Sequence, residues 1–265
     1  MVKENTDLNL IGKIAVITGG TSGIGLEIAR KFAGQNCKII IVGRDDIKGK
    51  NVENKINEEF EKNCCLFLKC DVSSSSEAEN ICKKILSLFN RVDILVLNAA
   101  AEIVENINEI KLESWEKVFD TNVNGVFYFI RFLIDSMIKN KKGNIIIISS
   151  MAAYVGGGGG MHYAASKAAL KGISARINLE LLPQGIRSNI ISPGFVDTPM
   201  LRKKFPDTEE INNKINSQIP IRRMAQPSDI ANLALFLASD MSEYICGQDI
   251  LIDGGLLFAR KPVKI

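Results

Sequence analysis

Seven short apolar runs punctuate the chain: KIAVIT (13–18), CKIIIV (37–42), CCLFLKC (64–70), VDILVLN (92–98), NIIIIS (144–149), IRSNIIS (186–192) and QDILID (248–253). Most are apolar at consecutive positions, which leaves no polar face for solvent. They read as strands buried on both sides, the pattern of a parallel sheet. Between them, apolar residues recur at helical spacing near 24–34, 46–62, 75–89, 113–140, 162–182 and 227–239. The serine run 73–76 and the turn Gln226-Pro227-Ser228-Asp229 supply helix start signals. Strand–helix alternation throughout predicts right-handed βαβ units, hence an α/β, doubly wound (Rossmann-type) parallel sheet of about seven strands with helices on both faces. No linker or short-period repeat interrupts this, so residues 1–265 are expected to form one domain. The stretch between the strand ending near Ser192 and the helix starting near Pro227 is too long for an ordinary connection. It predicts a substrate lid over about 197–225, with Met200, Leu201 and Phe205 as its apolar surface.

Composition narrows the picture by exclusion. The chain is 46% hydrophobic and 24% charged with a net charge of +3, and acids and bases are interspersed. No basic tail or stripe is present to serve as a nucleic-acid surface. Cys37, Cys64, Cys65, Cys70, Cys82 and Cys246 show no CxxC spacing, and one histidine, His162, cannot complete a Cys/His metal site. No metal is expected, and the thiols read as packing residues in a reducing compartment. The start MVKENTDLNL lacks the apolar core of a signal peptide, and VFYFIRFLIDSMI is broken by Arg131 and Asp135. A cytoplasmic protein with no membrane partner is the expectation.

The first strand ends in TGGTSGIG, residues 18–25, and runs directly into a helix. Gly19, Gly23 and Gly25, with Thr21, Ser22 and Ile24 between them, permit a tight turn and close backbone approach to a pyrophosphate. The helix start then offers N–H groups and a positive dipole end. Asp71, followed by Val72, ends the third strand, where it can accept from an adenine amino group or cap the next helix. Asn98 and Ala99 end the fourth, where a ligand crevice forms in such sheets.

A second cluster suggests proton chemistry. Tyr163 and Lys167 are i and i+4 on a predicted helix, and GGGGG (156–160) precedes them. A free tyrosine has a pKa of about 10, and a neighbouring ammonium favours its phenolate. Tyr163 is then a candidate general acid/base with Lys167 as its electrostatic partner. Ser150, at the end of the fifth strand, returns through the glycine loop beside the tyrosine. Asn122 sits inside a predicted long helix without an evident structural use.

In order and spacing these residues resemble the short-chain dehydrogenase/reductase family over nearly the whole chain, including 3-oxoacyl-[acyl-carrier-protein] reductase-like and glucose or alcohol dehydrogenase-like members. Residues 18–25 match its TGxxxGxG motif, Asn98 its NNAG motif, and Asn122, Ser150, Tyr163 and Lys167 its catalytic set. Pro193, Gly194, Val196 and Thr198 match the segment around the nicotinamide carboxamide. One departure is Leu97-Asn98-Ala99-Ala100 in place of NNAG. The resemblance implies hydride transfer between a nicotinamide and a carbonyl or secondary alcohol. Tyr163 would exchange the proton, Ser150 would polarise the oxygen, Lys167 would hold the ribose, and Asn122 would position a relay water. It implies a homotetramer or homodimer built on the helices near 113–140 and 162–182 and the strand near 249–252. For a 3-oxoacyl carrier substrate, Lys141 and Lys142 are the candidate basic residues at the pocket mouth. A dehydrogenase of a sugar, polyol, steroid or other small alcohol, and a non-enzymatic dinucleotide-binding regulator, are the alternatives. Gly43-Arg44-Asp45 follows the second strand. Glycine in place of an acid at the strand end, with Arg44 next to it, favours NADP(H) over NAD(H). His162 reads as structural or rim-lining.

Overall fold

A computed structural model of the chain describes residue 8 and residues 10–258. The N-terminal segment discussed above lies mostly outside the described residues. Seven strands, β1 (Ile14–Thr18), β2 (Lys38–Gly43), β3 (Cys65–Lys69), β4 (Ile94–Leu97), β5 (Gly143–Ile148), β6 (Ile186–Pro193) and β7 (Asp249–Ile252), form one sheet in the order β3-β2-β1-β4-β5-β6-β7. Every pairing is parallel. The expected doubly wound α/β sheet is therefore present, with its strands within a residue or two of the apolar runs.

The continuous apolar runs split by alternation between two cores. Ala15, Ile17, Ile39, Ile41, Ile146 and Ile148 face one side, packed by α1 (Gly23–Gly34), α2 (Asp46–Glu59) and α10 (Pro227–Ala238). Val16, Ile40, Val42, Ile145 and Ile147 face the other, under α3 (Ser75–Phe89), α5 (Gly125–Asn140) and α7 (Met161–Leu181). A fully buried side chain of this size contributes about 1.5–3 kcal/mol, so neither face can be left uncovered. This two-sided demand is why the strands read so clearly.

Two features depart from expectation. The helix expected over 113–140 is divided into α4 (Leu112–Phe119), a π-turn (Asp120–Asn124) and α5. The lid segment is not an open loop. It holds α8 (Pro199–Arg202) and α9 (Glu209–Gln218), capped by Thr198 and Thr208. Ile215, Ile219 and Met224 form a small core there with Leu201, Phe205 and Phe195. The remaining short helix, α6 (Ala152–Val155), lies between β5 and the glycine loop.

Candidate active site

The order of strands reverses between β1 and β4, whose carboxyl ends lie side by side, Thr18 opposite Leu97. Asn98 Nδ2 donates to the carbonyls of Thr18 and Gly19 at 3.0 and 3.1 Å, and Thr18 Oγ1 accepts from the N–H groups of Asn98 and Ala99. Asn98 therefore buttresses the glycine turn. A Cβ at Gly25 would stand 2.4 Å from the Gly19 oxygen and 2.5 Å from Asn98 Nδ2, so only glycine allows α1 to start this close to β1. Ser22, the N-cap of α1, makes no side-chain cap, and the first turn holds no acid. The helix start is thus left to a ligand in the cavity that Gly19, Ser22, Gly23 and Ile24 line. A dinucleotide pyrophosphate fits this cradle.

At the ends of β2 and β3, Asp45 caps α2 by accepting from the Lys48 N–H at 3.0 Å. Its carboxylate is committed to the helix. Arg44 is exposed, with Nη1 3.8 Å from Asp71 Oδ2. A Cβ at Gly43 would press on Thr21 Cγ2 at 2.9 Å, so an acidic side chain there would crowd the turn. Asp71 closes a local turn, its Oδ1 accepting from the Ser73 N–H and Oγ–H. Ser74, not Asp71, caps α3. Burial works against the Asp71 carboxylate, but the Ser73 hydrogen bonds and Arg44 outweigh it and hold the carboxyl below its ordinary range. Val72 is buried, with its carbonyl against Gly125.

Ser150 follows β5, its Oγ accepting from the Ala152 N–H at 3.1 Å, and it lines the same cavity wall as Tyr163. The glycines between α6 and α7 let the backbone lie on the aromatic ring. Gly158 has φ +96°, and a Cβ there would sit 3.1 Å from Tyr163 Cδ1. Tyr163 and Lys167 are both buried. Lys167 Nζ donates to the Ile148 carbonyl at 2.9 Å and lies 5.8 Å from the Tyr163 ring centroid. Burial lowers Lys167 to about 8, opposed by Glu102. The Tyr163 hydroxyl is held above its ordinary value, by burial first and Glu102 second, with Ser150 pulling the other way. This differs from the sequence expectation of a tyrosine lowered by Lys167, because the ring is dry and faces a carboxylate.

Asn122, in the π-turn, spends its amide on structure. Oδ1 accepts from the Ala101 N–H at 2.7 Å, and Nδ2 donates to the Ala101 carbonyl at 3.0 Å and to Ser166 Oγ at 2.9 Å. Ser166 Oγ in turn donates to the Tyr163 carbonyl at 2.7 Å. Both amide donors are engaged by protein groups. The side chain ties the strand-end loop to the first turn of α7. His162 is fully buried, Nε2 standing 3.8 Å from Glu105 Oε2, and does not line the cavity.

On the far wall, the Gly194 N–H donates to the Ile252 carbonyl at 2.8 Å, and Val196 bridges to Ala225. Thr198 caps α8 and approaches Gly23 across the cleft. Together these elements enclose a cavity of about 370 Å³ reaching from the glycine turn to Tyr163.

The chain is similar to known proteins over nearly its whole length. The family model described as enoyl-(acyl carrier protein) reductase matches residues 19–257. The 3-oxoacyl-[acyl-carrier-protein] reductase of Chlamydia trachomatis serovar D is 34% identical over 247 residues, covering 93% of this chain and 98% of that protein. A solved short-chain dehydrogenase/reductase family protein superposes with a TM-score of 0.83 at 31% identity, over 94% of this chain and 99% of the other. The chain belongs to the short-chain dehydrogenase/reductase family. A further similar structure, provisionally assigned as an NAD(P)-dependent gluconate 5-dehydrogenase from Beutenbergia cavernae with NADP bound at low occupancy, gives a TM-score of 0.89 at 32% identity, covering 95% and 99%.

This short-chain dehydrogenase/reductase is thus an NAD(P)-dependent oxidoreductase acting on CH–OH groups. One expectation about its surface fails. Lys141 and Lys142 precede β5, at the opposite end of the sheet from Ser150, and Lys142 pairs with Asp240 at 3.0 Å. They cannot flank the pocket mouth. Sequence reasoning missed two charged residues in the cavity, Glu102 and Lys204. Glu102 carried a faint signal, an acid just past the end of a central strand. Among the described residues no helix is long and apolar enough to cross a membrane.

Proposed function

We propose that this enzyme transfers hydride between NADP(H) and the carbonyl or secondary-alcohol carbon of a substrate with an apolar body, a 3-oxoacyl thioester being the first class to test. The observation that carries the reading is a buried Tyr163, with Lys167 Nζ 5.8 Å from its ring, sharing with Ser150 the wall of a cavity that continues to the open start of α1. A bound nicotinamide supplies the hydride acceptor or donor and, when oxidised, a positive charge. Tyr163 Oη–H exchanges its proton with the substrate oxygen, which the Ser150 hydroxyl orients and polarises. Lys167 would hold the ribose hydroxyls through its ammonium. Gly19, Ser22, Gly23, Ile24 and the α1 start would take the pyrophosphate; Asp71, Val72, Asn98 and Ala99 would border the adenosine half. Pro193, Gly194, Val196 and Thr198 would border the nicotinamide.

Preference for NADP(H) is supported by exposed Arg44 beside Gly43, and by Asp45 being occupied as a helix cap. Met151, Val155, Phe195, Met200 and Leu201 supply apolar walls that suit an acyl chain. A second reading, a polyhydroxy acid or polyol, is favoured by the carboxylate and ammonium of Glu102 and Lys204 inside the same cavity, and by Lys141 and Lys142 facing away from it. Assembly as a homotetramer or homodimer belongs to the proposal. Exposed Leu112, Phe127 and Leu179 on α4, α5 and α7 support it.

The deciding experiment follows NADPH absorbance with 3-oxoacyl thioesters and keto-sugar acids side by side. The proposal expects kcat/KM at least about tenfold higher for the thioesters, the discrimination that an apolar pocket supplies. The reverse order establishes the second reading. Turnover of neither, with NADPH bound, refutes both substrate assignments.

A further inference from the structure

Lys204 lies just past α8, on the lid, and its Nζ pairs with Glu102 Oε1 at 2.5 Å. Both side chains are largely withdrawn from solvent, at 21% and 10% exposure. An ion pair so placed is screened far less than one on the surface, and removing one partner leaves the other charge unbalanced. Glu102 is seated by the glycine loop, since a Cβ at Gly159 would stand 2.5 Å from Glu102 Cγ. The neighbouring Gly158 lies against the Tyr163 ring. One stretch of backbone therefore holds the carboxylate and the tyrosine next to each other.

We propose that Lys204 is the lid's counter-ion to Glu102: the pair ties α8 down over Ser150 and Tyr163, and it offsets part of the Glu102 charge beside the tyrosine only while the lid is down. The second half of this rests on Tyr163 being the proton-exchanging group. Other cations cannot take the place of Lys204. Arg202 is committed to Asp197, Asp207 and Asn212, Lys203 is exposed, and Lys167 is bonded to the Ile148 carbonyl. Within the lid, Phe205 joins the small core of Ile215, Ile219 and Met224, and it packs edge-on against Phe195 just past β6. The charged groups around Tyr163 are Glu102 from the loop after β4, Lys204 from the lid and Lys167 from its own helix, with the Glu105–His162 pair behind the glycine loop. Glu102 disfavours the phenolate even with Lys204 paired to it, and loss of the pair leaves its charge unopposed. Lid closure then makes Tyr163 a readier proton donor, and lid opening makes it a poorer one.

The test uses the whole chain and three variants: Lys204→Met, Glu102→Gln and the swap Glu102→Lys/Lys204→Glu. Hydrogen exchange over residues 199–206 is expected to quicken roughly tenfold in each single variant and to return to within about threefold of wild type in the swap. Exchange in Lys204→Met equal to wild type, or no recovery in the swap, overturns the tether. The charge effect is read from phenolate absorbance during pH titration of the NADP⁺ complexes, with the Tyr163→Phe trace subtracted. Glu102→Gln should lower the Tyr163 midpoint and Lys204→Met should raise it, each by at least about half a pH unit. Shifts in the same direction, or none, overturn the charge pairing. Absence of any Tyr163 step in Glu102→Gln instead counts against Tyr163 as the titrating group, which keeps the two failures distinct.

Discussion

Asn122→Ala removes an amide that holds three groups at once: the N–H and carbonyl of Ala101 and the hydroxyl of Ser166. The asparagine is 1% exposed, so water does not readily replace it. Each bond contributes about 0.5–1.5 kcal/mol net, and the orphaned Ala101 N–H adds a desolvation cost of about 1–3 kcal/mol. A loss near 3 kcal/mol follows, allowing for partial relaxation of the loop. For a chain of this length that corresponds to a fall in Tm of roughly 6–12 °C. Urea denaturation of wild type and variant measures it. Turnover should fall as well, because the same amide fixes the first turn of α7 through Ser166 and the Tyr163 carbonyl. A stability loss below about 1 kcal/mol would refute the clamp and return Asn122 to a role exerted through bound water.

Arg44→Ala should raise KM for NADPH by at least about tenfold and leave NADH within about twofold, since one charge-assisted bond is worth roughly 1.5–3 kcal/mol; equal effects on both cofactors contradict the assignment. Lys167, lowered to about 8 by burial, is an ammonium below that pH and loses its charge as pH rises through it. Cofactor affinity should accordingly be about tenfold weaker at pH 9 than at pH 7, with proton uptake on binding seen by calorimetry in two buffers, and Lys167→Met should abolish both effects. Gly25→Ala drives a Cβ into the Gly19 carbonyl and Asn98, so cofactor affinity should drop roughly tenfold or more while circular dichroism shows the sheet intact; unchanged affinity would mean the turn is not the phosphate cradle.

The strands were legible because runs such as NIIIIS must be covered on both faces, and alternation then divides them between two cores. The break between α4 and α5 was not. Apolar spacing continues through it, and the π-turn is set by contacts of Asn122 with Ala101 and Ser166, remote in sequence. The lid helices did carry start signals at Thr198-Pro199 and Thr208-Glu209, but they are short and rich in charge, which hides their apolar face. In the site, the glycine turn and the Ser150, Tyr163 and Lys167 set were visible from spacing and resemblance. The Glu102–Lys204 pair was not, because nothing local joins residues so far apart. The Tyr163 hydroxyl also stands above, not below, its ordinary value, since burial and Glu102, remote in sequence but near in space, decide it.

The central claim is that Tyr163 exchanges the proton at the reacting oxygen while the glycine turn, independently, holds the cofactor. Tyr163→Phe keeps the ring against Gly158 and removes only the hydroxyl. NADPH affinity, by fluorescence titration, and turnover of the best carbonyl substrate are measured on the same preparation. The account predicts turnover reduced by at least about 100-fold, within the range that general acid catalysis supplies, and affinity within about twofold of wild type. Turnover retained, or affinity lost in step with it, would contradict the account.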